Sequence, residues 1–66
     1  MEDVKLEKTA YDPKNREVLF MSGVRGPQKQ KVYQVEKPAT LYVSPVTNSL
    51  KIAVEFFEQQ INCSQN

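Results

Sequence analysis

The chain has 66 residues, nine Lys and Arg against eight Asp and Glu, a single cysteine at Cys63, and neither histidine nor tryptophan. That inventory leaves no Ser-His or Cys-His nucleophile pair, no histidine-based zinc site and no intramolecular disulfide, and a net charge of +1 is far from the balance of a dedicated nucleic-acid binder. A chain of this length buries only about 60% of the surface its unfolded form exposes, so a dense core or self-association has to supply its stability.

Met1 to Lys5 shows no basic segment leading into an apolar run, and no apolar stretch approaches 18 residues. Neither a signal peptide nor a membrane span is expected, and with a lone thiol this points to the cytoplasm. Val4 and Leu6, followed by Lys8 and Ala10, alternate loosely with charged residues and predict a short half-buried strand. Asp12-Pro13-Lys14-Asn15 is strong turn chemistry: an Asx acceptor, a fixed φ and a residue tolerant of the left-handed region. Glu17-Val18-Leu19-Phe20-Met21 follows as an apolar run of strand length, so the two segments read as a hairpin.

Ser22-Gly23-Val24-Arg25-Gly26-Pro27 holds both glycines and a Gly-Pro break and predicts a flexible loop. Its glycine spacing matches neither phosphate-binding fingerprint, so no nucleotide or other cofactor is implied. Lys31-Val32-Tyr33-Gln34-Val35 returns to β-formers, Lys37-Pro38 interrupts them, and Thr40-Leu41-Tyr42-Val43 resumes. Proline cannot donate a ladder hydrogen bond, so Pro38 marks a bend or an edge.

Ser44-Pro45 has the form of an N-cap followed by proline at the first helical position, and predicts a helix from about Pro45 to Ile61. At 100° per residue Val46, Leu50, Ala53, Val54, Phe57 and Ile61 form one stripe, while Lys51, Glu55, Glu58 and Asn62 form a polar one. The competing arrangement turns at Val46 to Ser49 and runs Leu50 to Phe57 as a strand, since Ile52, Val54 and Phe56 also alternate. Residues 62–66 are polar and read as a frayed tail of a single small domain.

The fold expected is α+β, a small antiparallel sheet of three or four strands packed by one C-terminal helix. Its core is expected to contain Val18, Phe20, Val32, Leu41, Val43, Leu50, Val54, Phe57 and Ile61. Ile52 and Phe56 lie about 200° and 240° round the helix from Leu50 and form a separate i, i+4 ridge. This ridge, with an exposed strand edge, is the expected interface for another protein or for a second copy in a homodimer, giving a non-catalytic interaction module.

The alternative is nucleic-acid binding by segment 14–37, which holds six basic residues and two acids. Arg16, Arg25, Lys29 and Lys31 would neutralise phosphates there and Tyr33 would stack on bases. No catalytic residue is assigned. Glu55 and Glu58 share a helix face, but Lys51 precedes Glu55 at i, i+4 and ordinary surface charge accounts for them. Glu7, Asp12, Glu17, Glu36, Ser22, Ser44 and Ser49 are the remaining carboxylates and hydroxyls of note, and no metal-ligand set is present.

Overall fold

The computed structural model describes residues 1–62, so Cys63 and the rest of the expected tail lie outside the described residues. Four strands, β1 (Glu2–Tyr11), β2 (Glu17–Arg25), β3 (Gln30–Lys37) and β4 (Tyr42–Val43), form an antiparallel meander in the order β1-β2-β3-β4. One helix, α1 (Leu50–Ile61), lies across one face of this sheet, on β3 and β2 rather than on β1. This is the α+β arrangement expected from the sequence, and α1 is a helix, not the second arm of a hairpin. Among the described residues no helix is long and apolar enough to cross a membrane.

The β1–β2 turn follows its sequence signature. One Asp12 carboxylate oxygen accepts from the Lys14 and Arg16 N–H groups at 2.9 and 2.8 Å, the Asn15 N–H donates to the Asp12 carbonyl, and Asn15 takes a left-handed φ of 61°. Strand β1 then pairs with β2 through two register shifts, between Glu2 and Lys5 and between Leu6 and Lys8. Such bulges twist an edge strand and disrupt its pairing pattern.

Four expectations are corrected. Ser22 to Arg25 is strand rather than loop: the reversal is confined to Gly26–Lys29, where the Lys29 N–H donates to the Gly26 carbonyl at 3.0 Å and Gly26 has a φ of 81°. Gly23 serves the sheet instead, because a Cβ there would lie 2.6 Å from both the Glu2 carbonyl oxygen and the Met1 side chain.

The helix starts at Leu50, five residues after the expected position. Ser44 is buried, and its hydroxyl accepts from the Val35 N–H at 2.8 Å and donates to the Pro45 carbonyl, so it is committed to the sheet and not to a cap. Reciprocal bonds between Tyr33 and Thr47, at 2.7 and 3.1 Å, hold the next residues extended along β3. Ser49 is the cap, extended in φ and ψ, with its hydroxyl accepting from the Ile52 N–H at 3.3 Å.

Leu41 is not core. Pro38 starts a 3-10 turn (Pro38–Thr40), and Leu41 closes it at φ 57° with its side chain 89% exposed. Val43, Leu50 and Val54 are also surface residues. The core on the helix side is Val18, Phe20, Val35, Ala53 and Phe57, with Ala10, Tyr33, Tyr42, Phe56 and Ile61 packed around it. Each large apolar side chain buried there contributes about 1.5–3 kcal/mol, and the Phe20 and Phe57 rings meet at 5.4 Å in a tilted pair. Val32 is buried too, but on the opposite face of the sheet.

A polar clamp ties one end of this core together. Lys37, 1% exposed, donates to Asp12 at 2.7 Å and to the Gln60 carbonyl in the last turn of α1 at 2.9 Å, joining the β1–β2 turn, the end of β3 and the helix. Arg16 adds a second cation on the same carboxylate oxygen at 2.7 Å. Burial pushes the Asp12 carboxyl up, but the Lys37 ammonium, the Arg16 N–H and the Arg16 guanidinium outweigh it and hold the group well below the usual carboxylate range.

Candidate interaction surfaces

Side chains alternate across a strand, so the register divides the sheet into two faces. Val18, Phe20 and Ser22 of β2 share the helix side with Val35 and Tyr33 of β3, while Leu19 and Met21 point to the reverse side. There Met21 is flanked by Leu6 of β1 and Gln34 of β3; Leu19 is flanked by Thr9 and Glu36, and Val43 of β4 lies beyond Glu36. Leu19 and Met21 are half-buried, whereas Leu6 and Val43 are more than half exposed. Helix α1 packs on the opposite face, against β3 and β2. A one-sided antiparallel sheet normally turns polar residues outward, and here the middle of the outer face is apolar.

On the helix side the two flanks of α1 differ. Toward β1, Val54, Phe57, Glu58 and Ile61 face Lys8, Ala10 and Phe20 across an open groove of about 310 Å³. The Lys8 ammonium lies 5.9 Å from the centroid of the Phe57 ring, a cation–π contact at the strand-side rim. On the other flank Ile52 is exposed, while Phe56 is half-buried and packs against the core cluster. Phe56 therefore shares a core with Phe57, and the structure separates it from Ile52 as a surface group.

The basic residues grouped by the sequence are split between the two ends of the sheet. Arg16 sits at the β1–β2 turn in its bond to Asp12, and Lys37 is buried. Arg25 and Lys29 lie at the β2–β3 hairpin tip, with Lys31 two residues down β3. Tyr33 stacks on Phe20 at 5.8 Å with ring planes 13° apart, and the Lys31 ammonium lies 5.7 Å from the Tyr33 centroid. Both contacts draw on the ring that base stacking would need.

Near the hairpin end, the Ser22 hydroxyl donates to the Glu7 carboxylate across the β1–β2 pair. That bond, with Lys5 and Lys31 nearby, lowers the Glu7 carboxyl below its ordinary value despite partial desolvation. A carboxylate so stabilised is a weaker base than an unperturbed one. Ser44 and Ser49 are occupied as described, and Asp12 is spent on two cations. Among the described residues no three acidic or thiol side chains come together as cation ligands.

The sequence could not have located Lys37 in the core, because a lysine beside a proline reads as surface charge. The apolar outer face was readable in principle. Val18-Leu19-Phe20-Met21 is continuous, not alternating, and such a run belongs to a strand whose two faces both want cover. Comparison with known proteins finds no family model, no curated protein and no solved structure that matches this chain.

Proposed function

We propose that this protein is a non-catalytic protein–protein interaction module that presents the outer face of its sheet to another protein. The observation that supports the reading is that β2 is apolar on both faces while α1 covers one of them. Leu6, Met21 and Leu19 adjoin on the outer face, with Val43 beyond Glu36. The exposed Leu6 and Val43 each gain up to about 1.5–3 kcal/mol on full burial by a partner, and the half-buried Leu19 and Met21 gain less. The face, not the edge, is the better contact. Strand β1 carries two register shifts and a run of charged side chains, devices that discourage strand addition.

The test is a photoreactive amino acid placed at Val43 or, as a control, at Glu55 on the exposed polar side of α1, in cells that make the protein. Protein adducts from position 43 and none from position 55 are expected. Equal labelling at both positions, or none at 43, sinks the proposal.

A second reading, nucleic-acid binding, draws support from Arg25, Lys29 and Lys31, which cluster at one end of the sheet in a stretch from Val18 to Val35 that holds no acid. Arg16 is no part of it. Three phosphate contacts should give a steep salt dependence, so retention on DNA or RNA at low salt that vanishes by physiological salt and in Arg25→Ala/Lys29→Ala would favour this reading. Absence of retention at low salt removes it.

A further inference from the structure

The apolar stripe that the sequence writes most plainly on α1 is only partly buried by the sheet. Leu50, Val54, Phe57 and Ile61 recur at intervals of four, three and four residues, the spacing of a seam that packs against a second helix. The sheet buries Ala53 and Phe57 and half-covers Phe56 and Ile61, so it takes the C-terminal half of that seam and leaves the N-terminal half uncovered. Leu50 is left 54% exposed and Val54 36% exposed. Val54 and Ile61 line the open groove beside β1.

We infer that a second copy of the chain packs α1 against α1 along this seam and closes the groove. This lies beyond the partner reading above, since it uses the opposite side of the sheet. Two features single out a second copy as the occupant. First, a 4-3-4 seam is complementary to itself, as the contact around a two-fold axis requires. Second, the groove carries opposite charges on its two rims, Lys8 on the strand and Glu58 on the helix, and neither makes an ion pair among the described residues. A two-fold axis running along the groove sets each Lys8 opposite Glu58 of the second copy, twice per dimer. A stable pair needs about 800 Å² from each partner, against the 4437 Å² that the whole chain exposes. The contact therefore has to run the length of α1 and take in the β1 side of the groove.

The experiment is molar mass by light scattering on the full 66-residue chain over a hundredfold concentration range, with circular dichroism on every variant. The wild type is expected to dimerise, and Leu50→Glu and Val54→Glu to be folded monomers. Lys8→Glu and Glu58→Lys should each weaken the dimer roughly tenfold, and the double reversal should restore it. Leu50 is exposed at the first turn, so its variant keeps the test valid even where Val54→Glu loses its fold. A wild type that stays monomeric throughout overturns the inference. So does a dimer that survives Leu50→Glu but is lost on Leu6→Lys, which would move self-association to the outer face.

Discussion

On the helix side of the sheet Val18, Phe20 and Val35 are buried, whereas one residue along the same strand, on the reverse side, Leu19 and Met21 are only half-buried. The residue types do not distinguish the two faces. What distinguishes them is reach: twelve residues of helix lie on the β2–β3 half of one face, whereas among the described residues Met1 and Glu2 lie against one end of the other. In a small domain an apolar side chain is therefore as much a statement about a second molecule as about the core, and burial separates the two cases.

The largest expected effect tests whether the faces differ at all. Phe57→Ala removes the ring that contacts Phe20 and should cost about 3–5 kcal/mol in urea unfolding, enough to leave a 66-residue domain largely unfolded. Leu19→Ala on the outer face should cost less, about 1–2 kcal/mol, because this side chain is only partly covered. Similar costs for the two would mean that the faces are energetically equivalent and the contrast is false.

Next in size is the clamp that holds the covered face together. Lys37→Ala leaves Asp12 buried with one cation in place of two and cuts the link to Gln60, and the melting temperature should fall by roughly 10 °C or more. The same carboxylate sets the acid limit. Its native pKa lies below that of an unfolded aspartate, about 3.9, so the unfolded chain binds more protons as the pH falls through that region. Stability from this group is fully present above about pH 5 and is lost progressively below it, while unfolding midpoints at pH 6 and 8 should agree as far as this group is concerned. Asp12→Asn should be less stable at pH 7 and should lack much of the acid-side slope, as thermal melts from pH 3 to 8 would show.

How much of this was legible follows from the range of each signal. The Asp12-Pro13-Lys14-Asn15 turn is local, closed by bonds within five residues, and it forms as written. Ser44-Pro45 is also a strong local signal, yet it fails, because the Val35 N–H on a strand nine residues away takes the hydroxyl that the cap would need. Leu41 misleads similarly: a leucine between β-formers reads as core until the 3-10 turn sets its direction. The amphipathic helix is legible as a helix, but the face it buries depends on where it lies on the sheet. For the same reason Ile52 and Phe56 share a ridge in the sequence and occupy different environments in the fold.

The outer face is not bare along its whole length, and Gly23 marks where cover ends. Met1 and Glu2 lie against it, next to buried Val32 on the neighbouring strand. Gly23→Ala drives a Cβ against the Glu2 carbonyl oxygen, part of the backbone, so β1 has to shift at its start. A cost of about 1–3 kcal/mol is expected, with faster amide exchange confined to the first residues of β1 and their β2 partners. Unchanged exchange there would mean that Met1 and Glu2 do not cover this end in solution.

The smallest expected effect on stability is the most informative about function. Leu6 pairs with Met21 on the outer face and is more than half exposed, so Leu6→Lys removes little burial and places a charge where water already reaches. Its unfolding free energy should stay within about 0.5 kcal/mol of the wild type. If the outer face binds a partner protein, adduct formation from a photoreactive residue at position 43 should fall sharply in the same variant. A protein that keeps its stability and loses its adducts would show that Leu6 is held apolar by what docks on it. A protein that loses stability by several kcal/mol would return Leu6 to the core and make the two faces one.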